Sequence, residues 1–281
     1  MRIVQVVLSL AIGGQERLVV RIARAFHERG HHVHVVSLTP GGALESELAP
    51  VPVHVVEKRD GFDLSLYPRL RRLWKEIRPD VVHTHNAAPL VYAAPSARLS
   101  GVRCIIHTKH GDFRYPAKTL RLARLAVRAV DAFVPVSSET AEAAARNERP
   151  STKRVRVIEN GIPLDAFHRD PRARADVRRE LDIPSEAVVV GTVGRLVGDK
   201  DYPLLVRAAA PILSASVRLV IVGEGAARPE IEAAIAEHPA ARPFITLTGA
   251  RRDVPRVLAA FDLFASSSRT EGLPLAIPEA M

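Results

Sequence analysis

From its first residue onward the chain alternates short runs rich in β-branched residues with amphipathic stretches at helical spacing, and few folds accommodate that order. A helix that carries the chain from one strand to the next parallel strand buries a face of the sheet, so the pattern predicts an α/β fold of parallel sheets covered by helices. Strands are expected at 3–8, 32–38, 53–56, 81–84, 103–108, 132–136 and 155–158, with helices such as 16–28 and 64–77 between them. A second series follows at 187–193, 217–222, 244–247 and 262–265. Between the two, the chain from Asn160 to Pro184 turns rich in Asp, Arg and Pro, and Asn160-Gly-Ile-Pro reads as a turn. The expected organisation is a Rossmann-like domain over 1–160, a linker over 161–184 and a second, partial domain over 185–281. The length of 281 residues, with 47% apolar content, suits two such domains.

A net charge of +9 favours an anionic partner, which charge alone does not identify. The single cysteine, Cys104, rules out an intrachain disulfide and a multi-cysteine metal site, and a reducing compartment fits best. The opening residues resemble a secretory signal, but Gln5 interrupts the apolar run and Gly13-Gly14 leads into a helical pattern, as a first strand, loop and helix would. No stretch is long and apolar enough to span a bilayer, so the expectation is a cytoplasmic protein whose membrane contact, if any, is peripheral at the inner face.

Three loops after strands carry residues suited to a phosphorylated ligand. In Val190-Gly-Thr-Val-Gly-Arg-Leu-Val-Gly-Asp-Lys, a buried strand enters a glycine-bearing loop with Arg195 and Lys200 just before a helix. Backbone amides, the helix start and two cations could neutralise a diphosphate there, although an ordinary turn with solvated charges fits as well. The loop is neither a P-loop nor a dinucleotide fingerprint, because its ending and glycine spacing differ. Gly223 and Gly225 follow the next strand, where a plain tight turn is the commoner explanation. The last segment places Glu271 and Glu279 eight positions apart around Gly272-Leu273-Pro274. Carboxylates so placed could accept hydrogen bonds from vicinal hydroxyls of a sugar or ribose, or could simply be acids favoured at a helix start.

Those final residues, Glu271-Gly-x-Pro with Glu279 and then Ala-Met, resemble the E-x7-E motif of the retaining glycosyltransferases of family four. Further matches occur in order along the chain: Gly13-Gly-Gln-Glu, Val82-His-Thr-His, Thr108-Lys-His110-Gly, Val157-Ile-Glu-Asn-Gly-Ile and the Arg195…Lys200 pair. The resemblance implies a GT-B-like fold of two Rossmann-like, doubly wound parallel-sheet domains enclosing a ligand, with the N-terminal one on the acceptor side and the second incomplete. It implies transfer of a sugar from a nucleoside-diphosphate sugar to a hydroxyl acceptor with retention, in cell-surface polysaccharide or glycolipid synthesis. The co-substrate is the nucleotide sugar; neither a metal, a further cofactor nor a nucleic-acid partner is expected. By the same resemblance Arg195 and Lys200 bind the donor diphosphate, Glu271 and the amides of Gly272, Leu273 and Pro274 lie near the donor sugar, and Glu279 meets the ribose. Gly223 and Gly225 join the donor site, Gly13 and Gly14 leave room for the diphosphate and acceptor, and His110 sits beside the reacting sugar, with His110 and Glu271 as the catalytic pair.

Two competing functions remain at this stage: a nucleotide-sugar epimerase of similar fold, and a truncated, non-catalytic fragment that binds nucleotide weakly. His83 and His85 share a strand face, which invites a metal site, but no carboxylate or cysteine is spaced to complete one and packing is the better reading. Lys118, Arg121, Arg124 and Arg128 fall on one helical face beside Leu122, Ala126 and Val130, as either a solvated face or a surface for anionic lipid near a lipid-linked acceptor.

Overall fold

The computed structural model describes residues 1–112 and 115–281, which form two compact units, Met1–Asn160 and Gly161–Met281. In unit 1 a six-stranded parallel sheet has the order β3-β2-β1-β4-β5-β6, built from β1 (Arg2–Val7), β2 (His32–Ser37), β3 (Val53–Val55), β4 (Val81–His85), β5 (Cys104–Lys109) and β6 (Ala132–Pro135). Between them run α1 (Gly14–Glu28), α2 (Leu66–Ile77), α3 (Ala87–Leu99) and α4 (Ala117–Ala126), and α5 (Ser138–Asn147) follows β6. Strand residues alternate between two buried faces. Val4, Val6, Val36 and Leu38 pack into the core that holds α2 and α3, while Val7, Val33 and Val35 meet Val19, Val20 and Ala23 of α1. Burial on both sides is why these strands read as nearly continuous apolar runs.

The helices form where the apolar spacing demands a covered stripe. In α2, Leu66, Leu70, Leu73, Trp74 and Ile77 are buried, and the Trp74 indole donates to Ser96 Oγ of α3 at 2.9 Å. The segment 155–158 departs from expectation. It lies beside β6 through two backbone bonds, Arg156 to Phe133 and Ile158 to Pro135, but only Val155 forms a bridge, and Val157 and Ile158 face outward. A strand whose side chains are left uncovered has little to stabilise it beyond those bonds.

Unit 2 has a four-stranded parallel sheet of order β10-β7-β8-β9, from β7 (Val188–Val193), β8 (Val217–Val222), β9 (Ile245–Gly249) and the two-residue β10 (Leu263–Phe264). Its helices are α6 (Pro171–Glu180), α7 (Tyr202–Ala209), α8 (Arg228–Ala236), α9 (Val254–Ala259) and the short α10 (Ala276–Ala280).

The expected linker over 161–184 is therefore partly a folded helix. Asp170 caps α6 by accepting from the amides of Arg172 and Ala173, and Pro171 stands at its first position. Arg178, 3% exposed, donates to the carbonyls of Ser185, Ala187 and Ala260 and pairs with Asp262, which also accepts from the Val189 amide and from Arg174. A composition rich in Arg, Asp and Pro looks like a solvated connection until the partners of its charges are known. Here they tie α6 to the starts of β7 and β10.

Candidate active site

In a doubly wound sheet, ligands bind beyond the carboxyl ends of the strands where the winding direction reverses. In unit 2 that point lies between β7 and β10, the two strands on which the sequence placed its phosphate loop and its acidic motif. Parallel pairing of Leu263 with Val190 and Phe264 with Gly191 brings the two following loops side by side. Side chains and backbone then join them: Ser267 Oγ donates to the Lys200 carbonyl at 2.8 Å, the Arg269 amide to the Asp199 carbonyl at 2.9 Å, and Arg269 Nε to Asp201 at 2.7 Å.

Across this junction the Lys200 ammonium forms an ion pair with the Glu271 carboxylate, both partly buried, although 71 positions separate them in the chain. Of the two cations expected to bind a diphosphate, Lys200 thus already holds a carboxylate. Arg195 is exposed and has no carboxylate partner among the described residues. One cation is held and the other is free. Gly272, Leu273 and Pro274 follow Glu271 as a partly buried turn, and Glu279 lies in α10, its amide bonded to the Leu275 carbonyl.

Gly223 and Gly225 have a local purpose that sequence reasoning left open. Both take positive φ, 149° and 157°, and a Cβ on them would lie 1.9 Å from the Gly194 carbonyl oxygen and 2.3 Å from that of Leu196. The turn after β8 therefore packs backbone to backbone on the Arg195 loop, with Leu196 donating to the Glu224 carbonyl and Ala227 donating to Leu196. Beneath that loop Tyr202 bonds to Thr192, and burial pushes its phenol up to about 12. Only a glycine fits over its hydroxyl, since a Cβ at Gly194 would lie 2.6 Å away.

The reversal in unit 1 lies between β1 and β4. Gly13, in extended conformation, precedes α1, and Gly14 opens it. The next residue, Gln15, accepts from Asn86 Nδ2 at the end of β4, and Asn86 Oδ1 accepts from the His110 amide at 3.0 Å. Asn86 takes φ 61°, an uncommon conformation for a side chain larger than glycine. The His110 ring lies 2.9 Å from His85 through Nε2, and His85 meets Gln5 on its other side at 2.8 Å. His83 pairs with Thr108 at 2.8 Å and His107 with Thr84 at 2.9 Å.

Burial pushes these four imidazoles down, His83 to about 4 and His110 to about 3, with His85 and His107 held well below the usual range by burial first and then by neighbouring rings, Lys109 adding to the effect on His107. All four are neutral at pH 7. Their engaged nitrogens leave little for the metal reading of His83 and His85, and no group of three His, Cys, Asp or Glu among the described residues is placed to hold an ion. The sequence alone marks neither Asn86 nor His107, and marks Gln5 only as a break in an apolar run. Gln5 and His85 are 80 positions apart, and nothing in spacing announces such a contact.

Behind His110, Lys109 and Glu148 form a buried ion pair at 2.7 Å that ties the end of β5 to the end of α5. The basic residues of α4 do not act as one face. Lys118 and Arg121 are exposed, as is Arg128 just past the helix, whereas Arg124 turns in to donate to the Asn147 carbonyl at 2.6 Å. Ala126 and Val130 are core residues.

Comparison with known proteins decides what these loops belong to. Residues 12–166 match the model of Glycosyltransferase Family 4, and residues 187–281 match that of glycosyl transferases group 1. The chain belongs to Glycosyltransferase Family 4. Among similar proteins, the Escherichia coli UDP-Gal:alpha-D-GlcNAc-diphosphoundecaprenol alpha-1,3-galactosyltransferase is 28% identical over 231 residues, 78% of this chain and 59% of that protein. A GDP-mannose-dependent alpha-(1-6)-phosphatidylinositol monomannoside mannosyltransferase of Mycobacterium tuberculosis is 32% identical over 73% of this chain and 54% of its own length. The chain thus spans less than two thirds of the length of these two relatives. The solved structure of Anabaena HepE with UDP and glucose superposes on all of this chain and 78% of its own with TM-score 0.85 at 22% identity, which bears on the fold. The chain shares that GT-B architecture.

Proposed function

We propose that the chain carries the machinery for transferring a sugar from a nucleoside-diphosphate sugar to a hydroxyl acceptor, with retention of configuration, in the assembly of a polysaccharide or glycolipid. The observation that carries this reading is the meeting of Lys200 with Glu271 at the winding reversal of unit 2, on the loop that also carries Arg195, exposed and without a carboxylate partner among the described residues. A cation that already holds a carboxylate has donors left for a phosphate oxygen, and the free guanidinium can take a second. Relatives named for UDP-Gal and GDP-mannose, and for diphosphoundecaprenol- and phosphatidylinositol-linked sugars, support the same class of substrates.

In this reading the acceptor oxygen attacks the anomeric carbon as its bond to the diphosphate breaks on the same face, and a leaving phosphate oxygen takes the hydroxyl proton. Arg195 and Lys200 stabilise the charge gathering on the diphosphate without a metal, since fixed cations lower that barrier by electrostatics alone. Glu271 and the Gly272, Leu273 and Pro274 backbone orient the donor sugar, Glu279 accepts from the ribose, and His110 supplies a ring nitrogen to the reacting sugar. Gly13 and Gly14 keep side chains away from the phosphates, and Gly223 and Gly225 support the Arg195 loop. The test is release of free nucleoside diphosphate from a nucleotide sugar only when an acceptor is present, together with the anomeric configuration of the product. Release without acceptor, or epimerised donor, would contradict transfer.

The acceptor's lipid class has its own support. Among the described residues no helix is long and apolar enough to cross a membrane. Lys118 stands 5.7 Å over the ring of exposed Phe62, and helical spacing puts exposed Leu125 on the same side of α4 as Lys118 and Arg121. Apolar side chains set among cations suit an anionic headgroup layer. Sedimentation with phosphatidylglycerol vesicles but not with phosphatidylcholine vesicles is expected; equal sedimentation with both would contradict it.

A further inference from the structure

His85 ends β4 with 1% of its surface exposed, and both of its ring nitrogens are engaged, Nδ1 with His110 Nε2 at 2.9 Å and Nε2 with the Gln5 side chain at 2.8 Å. Two neutral imidazoles joined in this way have one proton and one lone pair each, so one facing nitrogen donates and the other accepts. The choice travels. Whichever way Gln5 addresses His85 fixes the proton on His85, and that fixes the proton on His110.

Elsewhere in the cluster no such direction is imposed. His83 and His107 meet the hydroxyls of Thr108 and Thr84, and a hydroxyl can donate or accept by rotating. An amide has no such freedom once its ends are assigned. Gln5 is fully buried on β1, and with its carbonyl toward His85 neither of its amide N–H groups has a partner among the described residues. Turning the amide over lets one N–H donate to His85 Nε2 and strands one N–H and the carbonyl instead. A buried carbonyl short of a partner is tolerated better than a buried N–H, so the turned-over amide is the favoured one. His85 then carries its proton on Nδ1 and donates it to His110 Nε2. The His110 proton is left on Nδ1, which has no partner among the described residues.

We propose that Gln5, acting through His85, holds His110 as the Nδ1–H tautomer, so that the ring offers its ligand a hydrogen-bond donor suited to a hydroxyl or phosphate oxygen. Gln5 and His85 are positioning residues, and the functional weight of the inference rests on the reading of His110 as the residue that meets the sugar. Asn86 fixes the same residue from the other side, through the His110 amide.

The experiment is a long-range proton–nitrogen correlation spectrum of the whole chain labelled with nitrogen-15 histidine, without ligand at pH 7.5, with His110 assigned by its loss in His110→Gln. The expected result is a protonated Nδ1 and a lone pair on Nε2; a protonated Nε2, or an even mixture, overturns the proposal. Gln5→Met keeps the volume and removes both amide groups. In it the single tautomer should be lost and kcat should fall about tenfold with little change in the donor KM. An unchanged tautomer in that variant removes Gln5 from the account. Should Gln5→Met fail to fold, the spectrum of the native chain still decides. Because that spectrum needs no turnover, a chain that transfers no sugar yet shows Nδ1–H sinks the proposed activity and leaves this assignment standing, and a chain that transfers sugar with Nε2–H does the reverse.

Discussion

The two winding reversals of this molecule are built from opposite materials. In unit 1 the carboxyl ends of β4 and β5 hold neutral imidazoles, packed below the surface and bonded to amides and hydroxyls. In unit 2 the ends of β7 and β10 hold formal charges near solvent, Arg195 free, Lys200 on Glu271 and Arg269 on Asp201. The difference teaches how one scaffold divides its labour. Buried neutral groups fix the direction of hydrogen bonds, while exposed charges supply a field for an anion and remain free to change partners.

If the division is real, acid should separate the units first and most strongly. The folded state keeps the four imidazoles of unit 1 below their ordinary value near 6.5, so the unfolded chain takes up protons first as pH falls. Their contribution is fully present above about 6.5 and is lost on the way down toward the folded values. For His83 and His110, held at about 4 and about 3, the loss approaches roughly 1.4 kcal/mol per pH unit for each ring between pH 6.5 and 5, and His85 and His107 add to it in the same direction. Urea unfolding followed residue by residue with amide exchange should show unit 1 weakening steeply over that range and unit 2, with only His168 and His238, weakening less. Equal slopes would break the contrast.

A smaller effect probes how the charged loop of unit 2 is supported. Gly223→Ala forces a Cβ against the Gly194 carbonyl at positive φ and should destabilise unit 2 by about 2 kcal/mol, leaving unit 1 unchanged. Smaller still is Glu271→Gln, which frees Lys200. Nucleoside diphosphate alone should then bind severalfold more tightly, about 1 kcal/mol, while sugar transfer declines. Loss of both together would mean that Glu271 serves only the fold.

Much of this was legible in the sequence, for physical reasons that also mark where legibility stopped. Strands buried on both faces and helices with one apolar stripe announce themselves, so the two parallel sheets were expected before they were seen. Residues that contact each other through adjacent strand ends were found only where a motif named them, as with Lys200 and Glu271. In the sequence Gln5 reads merely as an interruption of an apolar run; that interruption is the polar group on which His85 depends. Conversely, the charges of 171–180 looked like a linker because composition does not say that Arg178 and Asp262 will meet. Val155–Ile158 had the residue types of a strand without the covering layer.

Calorimetric titration of the chain with uridine and guanosine diphosphates and their sugars, beside an Arg195→Ala/Lys200→Ala variant, goes most directly to the claim that unit 2 holds a diphosphate between its strand-end loops. One base series should bind the native chain, and the variant should lose about a hundredfold in affinity or more, as removal of two charge-assisted contacts requires. Equal binding by both proteins, or none by the native chain, would contradict it.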